Sequence, residues 1–245
     1  NMKNFYKLID RAIADKLTFI ADPILDPISY GFTKSIERYI YLREKYPDIH
    51  IMIGIGNITE LTHADTSGIN MIMLGIVEEL KLNHILTTQV SRHCSTVIRE
   101  TDLARRIIHA ASENNITPKH INDGLLINHG HKDYAYTSDE LIDMKSNIKD
   151  KNYRIYVNDD GIHLFNKTIY KVFSDPYNFY EFLEVEEDSG HSFYLGVELA
   201  RAQIAYQLRK EYSQDEELDW GCLIDKKDDN KLQSKELGPT FKKRK

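Results

Sequence analysis

Cysteine, proline and tryptophan are scarce in this 245-residue sequence, with two, six and one respectively. Cys94 and Cys222 stand far apart with no Cys-x-x-Cys spacing, which argues against a disulfide framework or a thiolate zinc site and fits a reducing cytoplasm. No apolar run nears the roughly 20 residues that span a bilayer, the longest lying near Ile51. Basic charge is not in excess either: 32 Lys and Arg against 38 Asp and Glu give a net charge of -6. A general nucleic-acid surface, which gains affinity from cations set against phosphates, is therefore not expected. The opening Asn1-Met-Lys-Asn-Phe-Tyr-Lys7 is charged and amphipathic, unlike the unbroken apolar core of a secretory signal. A start at Asn1 rather than Met reads as a fragment or a processed chain.

What is present is an ordinary globular balance, 41% hydrophobic and 29% charged, over a length that suits one large domain or two smaller ones. Phe5, Leu8, Ile9 and Ala12 share a helical face within residues 3–14, and Leu17-Thr-Phe-Ile-Ala21 reads as a short buried strand. The prolines of Asp22-Pro-Ile-Leu-Asp-Pro27 end that strand, and a helix from about Lys34 to Lys45 turns Ile36, Tyr39 and Ile40 inward. A second strand, His50–Ile53, precedes a helix with Ile69, Ile72, Met73, Ile76, Val77 and Leu80 at helical spacing. A third strand, 84–90, precedes a helix over 102–111 that faces Leu103, Ile107, Ile108 and Ala111 inward. Three successive βα units imply parallel strands, leaving a (β/α)8 barrel or a doubly wound sheet as the options.

In both architectures ligands meet the loops that leave the carboxyl ends of the strands. The stretch Ile51–Gly68 is the centre of this reading. Gly54 and Gly56 let the backbone approach a bound group, and Asn57, Thr59, Glu60, Thr62 and Asp65 offer donors and acceptors beside it. Gln89, Arg92 and His93 follow the third strand, where a bound anion would meet them, and Lys34 stands near a helix start.

After Asn114-Asn-Ile-Thr-Pro118 the pattern changes, and a second, α+β unit is expected over 117–240 after a first unit of 1–116. Strands 153–157 and 162–165 flank the turn signal Asn158-Asp-Asp-Gly161, and 168–173 adds a third strand. A short helix starts at Asp175-Pro-Tyr177, and a longer one over 191–212 aligns Phe193, Val197, Ala200, Ile204 and Leu208. Phe241-Lys-Lys-Arg-Lys245 reads as a disordered basic tail. Asn128-His-Gly-His-Lys-Asp133 has metal-ligand residue types but no spacing that converges them, so it reads as a polar loop and no metal site is assigned.

Three stretches resemble the archaeal dihydropteroate synthase-like protein family: Asp22-Pro-Ile-Leu-Asp-Pro27, Gly54-Ile-Gly-Asn-Ile-Thr-Glu-Leu61 with Asp65-Thr-Ser-Gly68, and Gln214-Asp-Glu-Glu-Leu-Asp-Trp-Gly221. That family is associated with tetrahydromethanopterin biosynthesis, and this chain is similar to its C-terminal half. The resemblance implies three βα units of a TIM (β/α)8-type pterin-binding barrel. Missing strands would come from an upstream segment or a second chain, since three cannot close an eight-strand barrel. True dihydropteroate synthases, a more distant likeness over about the first 110 residues, join a hydroxymethyl-dihydropterin diphosphate to an arylamine and release pyrophosphate. The likeness implies that Asp26 grips the pterin's amino-pyrimidine edge, a task that suits a carboxylate because it accepts two hydrogen bonds from adjacent N–H donors. It also implies that Asn57, Glu60, Asp65 and Gln89 line the pterin pocket, that Lys34, Arg92 and His93 meet the phosphates, and that magnesium accompanies the diphosphate.

The chain departs from those enzymes where their phosphates bind. Ile58 stands at the seventh-strand lysine with Asn57 at the neighbouring arginine, and Thr87 and Gln89 stand at the Arg-x-His of the eighth strand. The alternatives are therefore a non-catalytic pterin- or phosphate-binding subunit and a pterin-dependent methyltransferase barrel. Each assigned residue also has a plainer role open to it: Asp26 as a turn aspartate, Asp65 as a helix cap, Arg92 and His93 as partners of surface acids.

Overall fold

A computed structural model describes residues 2–224, and the basic run 241–245 lies outside the described residues. The fold is mixed α/β, and the chain divides into two compact units at Leu125–Leu126. Residues 117–125, which lack periodicity, go with the first unit: Leu125 packs on its core, and Gly124 abuts Leu103.

The first unit runs α1 (Met2–Ala14), β1 (Ile20–Ala21), α2 (Phe32–Lys45), β2 (His50–Gly54), α3 (Gly56–Thr59), α4 (Thr66–Glu79), β3 (His84–Leu86) and α5 (Val97–Glu113). Its strands are parallel in the order β1-β2-β3, with Ile20 opposite His50 and Met52 opposite His84. Ile51, Ile53 and Ile55 run through the core against Leu25, Tyr39, Leu42, Met73 and Leu74. This is a three-stranded sheet; the described residues form no closed barrel. Both edge strands show apolar side chains to solvent, Ile20 at 50% and Leu86 at 52%. Parallel sheets are ordinarily covered on their faces and continued at their edges.

Several elements differ from the sequence reading. Leu17 is not in a strand, because its N–H closes α1 on the Ala12 carbonyl (2.9 Å) after Lys16 turns left-handed at φ 54°. The third strand stops at Leu86, four residues early, where the following chain bonds to the neighbouring loop instead. α5 begins at Val97 rather than 102. On α4 the buried side includes Asn70 and Leu74 while Ile72 is exposed.

The second unit holds α6 (Ser138–Ser146), the antiparallel sheet β4 (Arg154–Asn158), β5 (Gly161–Phe165) and β6 (Tyr170–Phe173), a 3-10 segment Pro176–Phe182, and α7 (Ser189–Leu208). The two-residue turn at Asp159-Asp160 is the expected one, with Asn158 Oδ1 accepting from the Asp160 N–H (2.9 Å) and Gly161 at φ 142°. α6 is new; its signal is Thr137-Ser-Asp-Glu140, a capping box formed by reciprocal side-chain and backbone bonds. α7 buries Leu195, Glu198, Leu199, Ala202 and Ala205, not the Phe193–Ile204 stripe. Both sides of this helix are apolar, so periodicity could not choose between them.

Candidate functional site

Three polar loops leave the carboxyl ends of β1, β2 and β3. The first is held in a strained shape. Asp22 Oδ1 accepts from the Ile24 N–H (2.8 Å) and the Tyr39 hydroxyl (3.2 Å), and Ile24 sits at φ 65°. A β-branched residue rarely enters this region, at a cost of about 1–3 kcal/mol, so such a loop persists only where its surroundings enforce it. Burial, then the adjacent Asp22, pushes the Tyr39 phenol above its usual pKa, which keeps it a donor.

Arg38, on α2, supplies the enforcement. Its guanidinium donates to the carbonyls of Pro23 (3.2 Å) and Ile24 (2.6 Å) and to Asp26 Oδ2 (2.8 Å). Asp26 is thus aimed by a buttress that no local motif announces. Its other oxygen, Oδ1, accepts no hydrogen bond among the described residues. A Cβ at Gly31 would fall 3.1 Å from Asp26 Oδ2, and Gly31 has φ 117°, so the close approach and the backbone both call for glycine.

The second loop is helical: α3 starts at Gly56, just after Gly54 ends β2. Gly56 is close to Thr88 Oγ1 (3.0 Å from a built Cβ), while Gly54 has open space, so the crowding is between loops. Asn57 Nδ2 donates to the Leu25 carbonyl (2.7 Å), tying this loop to the one that carries Asp26.

Glu60 organises the third loop. Its Oε1 accepts from Thr88 Oγ1 (2.9 Å) and the Val90 N–H (2.8 Å), and its Oε2 accepts from the Ser91 N–H (2.8 Å). The Val90 N–H, followed by the bonds from Ser91, holds the carboxyl down at a pKa of about 2. Glu60 therefore fills the pair of amides that a bound anion would use. Because its folded pKa lies below the unfolded value, the stabilisation from these bonds is full above about 4.5 and is lost as pH falls through about 2. In an acid titration followed by NMR, the Val90 and Ser91 amide protons are expected to move together with an inflection near 2, and to stay flat in Glu60→Gln. An inflection near the ordinary carboxylate value would contradict this placement.

Behind Glu60, the Thr59 carbonyl accepts from His93 Nε2 (3.0 Å) and Cys94 Sγ (3.3 Å), so the bonded His93 nitrogen carries the proton. Burial, with Glu60 near, pushes the Cys94 thiol up to about 11, an inert thiol. Gln89 Nε2 donates to the Ser95 carbonyl. Thr87 Oγ1 is buried with no partner among the described residues.

Hydrogen bonds thus join the loops of Asp26, Asn57, Glu60, Gln89 and His93: the side chains of Asn57, Glu60 and His93 hold neighbouring loops together, and Gln89 braces its own. Lys34 and Arg92 are exposed, and neither side chain has a partner among the described residues. Asp65 occupies the N-cap position of α4 without a side-chain cap bond.

Beneath the loops lies a network that the sequence reading missed. Glu100 of α5, 1% exposed, accepts from Thr66 Oγ1 (2.7 Å), Asn70 Nδ2 (2.9 Å) and Thr96 Oγ1 (2.7 Å). Thr66 and Asn70 belong to α4, so the carboxylate joins two helices near their N-termini, where the backbone dipoles favour negative charge. Polar residues on the inner side of α4 and α5 were the available signal.

In the second unit, the His129-Gly-His131 segment is pinned by its glycine: Gly130 N–H donates to the Leu208 carbonyl (3.0 Å), and a Cβ would fall 1.9 Å from the Arg209 oxygen. Among the described residues, no three His, Cys, Asp or Glu side chains converge on a point suited to a metal ion. No described helix is long and apolar enough to cross a membrane.

No family model matches the chain, and no solved structure matches it. An uncharacterized protein of Methanocaldococcus jannaschii is 31% identical over 242 residues, covering 88% of this chain and 45% of that protein. The chain therefore spans about half the length of the curated relative it matches.

Proposed function

We propose that the first unit is the C-terminal part of a pterin-binding (β/α)8-type barrel of dihydropteroate synthase-like kind, completed by strands from an upstream segment or a second chain. The observation that carries this reading is Asp26: a carboxylate at a strand's carboxyl end, fixed through Oδ2 by Arg38, with Oδ1 open. One fixed and one open oxygen suit the N–H donors of an aminopyrimidine edge. Open sheet edges with exposed Ile20 and Leu86, and a relative of about twice the length, support further strands.

In this reading the whole protein joins a hydroxymethyl-dihydropterin diphosphate to an arylamine in a folate-like pathway such as tetrahydromethanopterin biosynthesis. The arylamine nitrogen bonds to the pterin's exocyclic methylene carbon, the C–O bond to diphosphate breaks with its electron pair, and the surplus nitrogen proton passes to water. Asp26 orients the ring, and the exposed Lys34 and Arg92 are the cations available to the departing charge. Magnesium finds no converging ligand set among the described residues, so no step is assigned to it here.

In the protein that supplies all the strands, Asp26→Asn is expected to weaken binding of a 6-hydroxymethyl-dihydropterin about 10- to 100-fold in calorimetry, the loss of one charge-assisted pair. Unchanged binding would sink the assignment.

A second reading, a non-catalytic pterin-binding subunit, is favoured by Glu60. An anion already sits on the Val90 and Ser91 amides, where a diphosphate would need donors. Pyrophosphate release on adding arylamine separates the two: turnover supports the transferase, and pterin binding without turnover supports the binder.

A further inference from the structure

The solvent-facing side of α7 is uncharged along its length in a chain that is 29% charged. Of its 20 residues, Glu198 and Arg201 carry full charges, and they pair with each other at 2.7 Å with Glu198 buried. His191, at the helix start, lies against Tyr153 and Tyr194 in tilted ring contacts. On the outer face Phe193 is 72% exposed, with Val197, Ala200 and Ile204 also exposed. Beside this stripe runs a groove of about 660 Å³ lined by Tyr177, Tyr180, Leu183, Gly196, Ala200 and Gln203. Tyr177 and Tyr180 are 87% and 76% exposed. A surface helix ordinarily turns charged or polar residues outward, and a contiguous apolar face of this kind marks an interaction site.

We propose that this face is the interface of a two-fold symmetric dimer of the chain. Phe193, Val197, Ala200 and Ile204 are spaced at i, i+4, i+7 and i+11, a pattern symmetric about its own midpoint. Two copies of α7 laid antiparallel therefore bring Phe193 of one against Ile204 of the other, and Val197 of one against Ala200 of the other. Both sets of contacts form at once, as a two-fold interface requires. Gly196 and Ala200 lower the relief between the larger side chains and let the helices approach. Charge on this face is confined to its margins, with Glu186 on the groove wall and Arg201 paired to the buried Glu198, so the stripe itself is matched best by a second apolar stripe of the same kind. The three exposed aromatic residues present roughly 450 Å² per copy, more than half of the ~800 Å² that each partner of a stable complex buries.

Sedimentation velocity of the chain at about 50 μM is expected to give a dimer. Val197→Glu and Ala200→Glu, which set two carboxylates near each other across the two-fold axis, are expected to weaken it at least ~100-fold. Circular dichroism should be unchanged for both, and the Tm for Ala200→Glu, since Ala200 is exposed in the monomer; for Val197→Glu, at a position 36% exposed, a small Tm shift is expected. In a Cys222→Ser background, Phe193→Cys combined with Ile204→Cys is expected to form an oxidised covalent dimer, and Phe193→Cys alone is not. A wild-type chain that stays monomeric at this concentration overturns the proposal. So does a dimer indifferent to both glutamates, or a cross-link formed equally well by Phe193→Cys alone.

Discussion

Replacing Glu100 by leucine is expected to lower the unfolding free energy of the chain's first unit by about 3 kcal/mol. Leucine fills much of the volume but accepts no hydrogen bond, so the Thr66 and Thr96 hydroxyls and the Asn70 amide lose their common acceptor inside the protein. Each buried donor left unmatched costs about 1–3 kcal/mol, less where a hydroxyl can rotate to another acceptor. Glu100→Gln separates the hydrogen bonds from the volume. Its amide oxygen can replace Oε2 for Thr66 and Asn70 while its NH2 faces Thr96, whose hydroxyl can turn to accept, so a loss of about 1 kcal/mol is expected. Urea unfolding of the two variants tests the network: equal, small losses for both would mean that the bonds contribute little. The Thr101 hydroxyl, which donates to Asn70 Oδ1 at 3.3 Å, belongs to the same system. Thr101→Ala should therefore couple with Glu100→Gln rather than add to it.

Arg43→Ala is expected to cost about 2–3 kcal/mol at the opposite end of the sheet. The Arg43 guanidinium donates to the carbonyls of Leu80 (3.0 Å), Tyr46 (3.4 Å), Pro47 (2.7 Å), Ile49 (3.1 Å) and Lys81 (2.9 Å), and to Asn83 Oδ1 (3.2 Å). It thereby fastens the end of α2 and the end of α4 to the chain that enters β2 and β3. Asn83 extends the clasp by accepting from the Ile51 N–H at 3.1 Å. Arg43→Lys should recover under half of the loss, because one ammonium on a flexible stem cannot span six acceptors as a planar guanidinium does. Full rescue by lysine in thermal unfolding would show that charge, not the shape of the fork, is what the site uses.

Both residues are polar groups whose importance comes from elements distant in sequence, and the same holds at the loops. Asp26 was legible as a candidate chiefly through the family resemblance, since its place between prolines suits a turn aspartate equally well. Arg38, which aims it, was not, because an arginine on a helix carries no local mark of the loop it supports. Glu60 was legible as a polar residue at a strand's end. Its seat on the Val90 and Ser91 amides needed the third loop to be brought against it. The early end of β3 has the same origin, since Thr88 and Val90 bond to Glu60 and not to a neighbouring strand.

The sequence alone determined what short-range chemistry controls. It determined alternating strand and helix in the first unit, the hairpin at Asn158-Asp-Asp-Gly161 and the prolines that end β1. It also set the placement of polar residues at the carboxyl ends of the strands. These follow from side-chain periodicity and backbone restriction over a few residues. Tertiary structure decided which side of α7 faces inward, how far β3 runs, and which polar side chains stay open and which hold loops together. The physical reason is shared by all three: where two faces are equally apolar, or a donor has several acceptors within reach, the choice belongs to groups that only folding brings together.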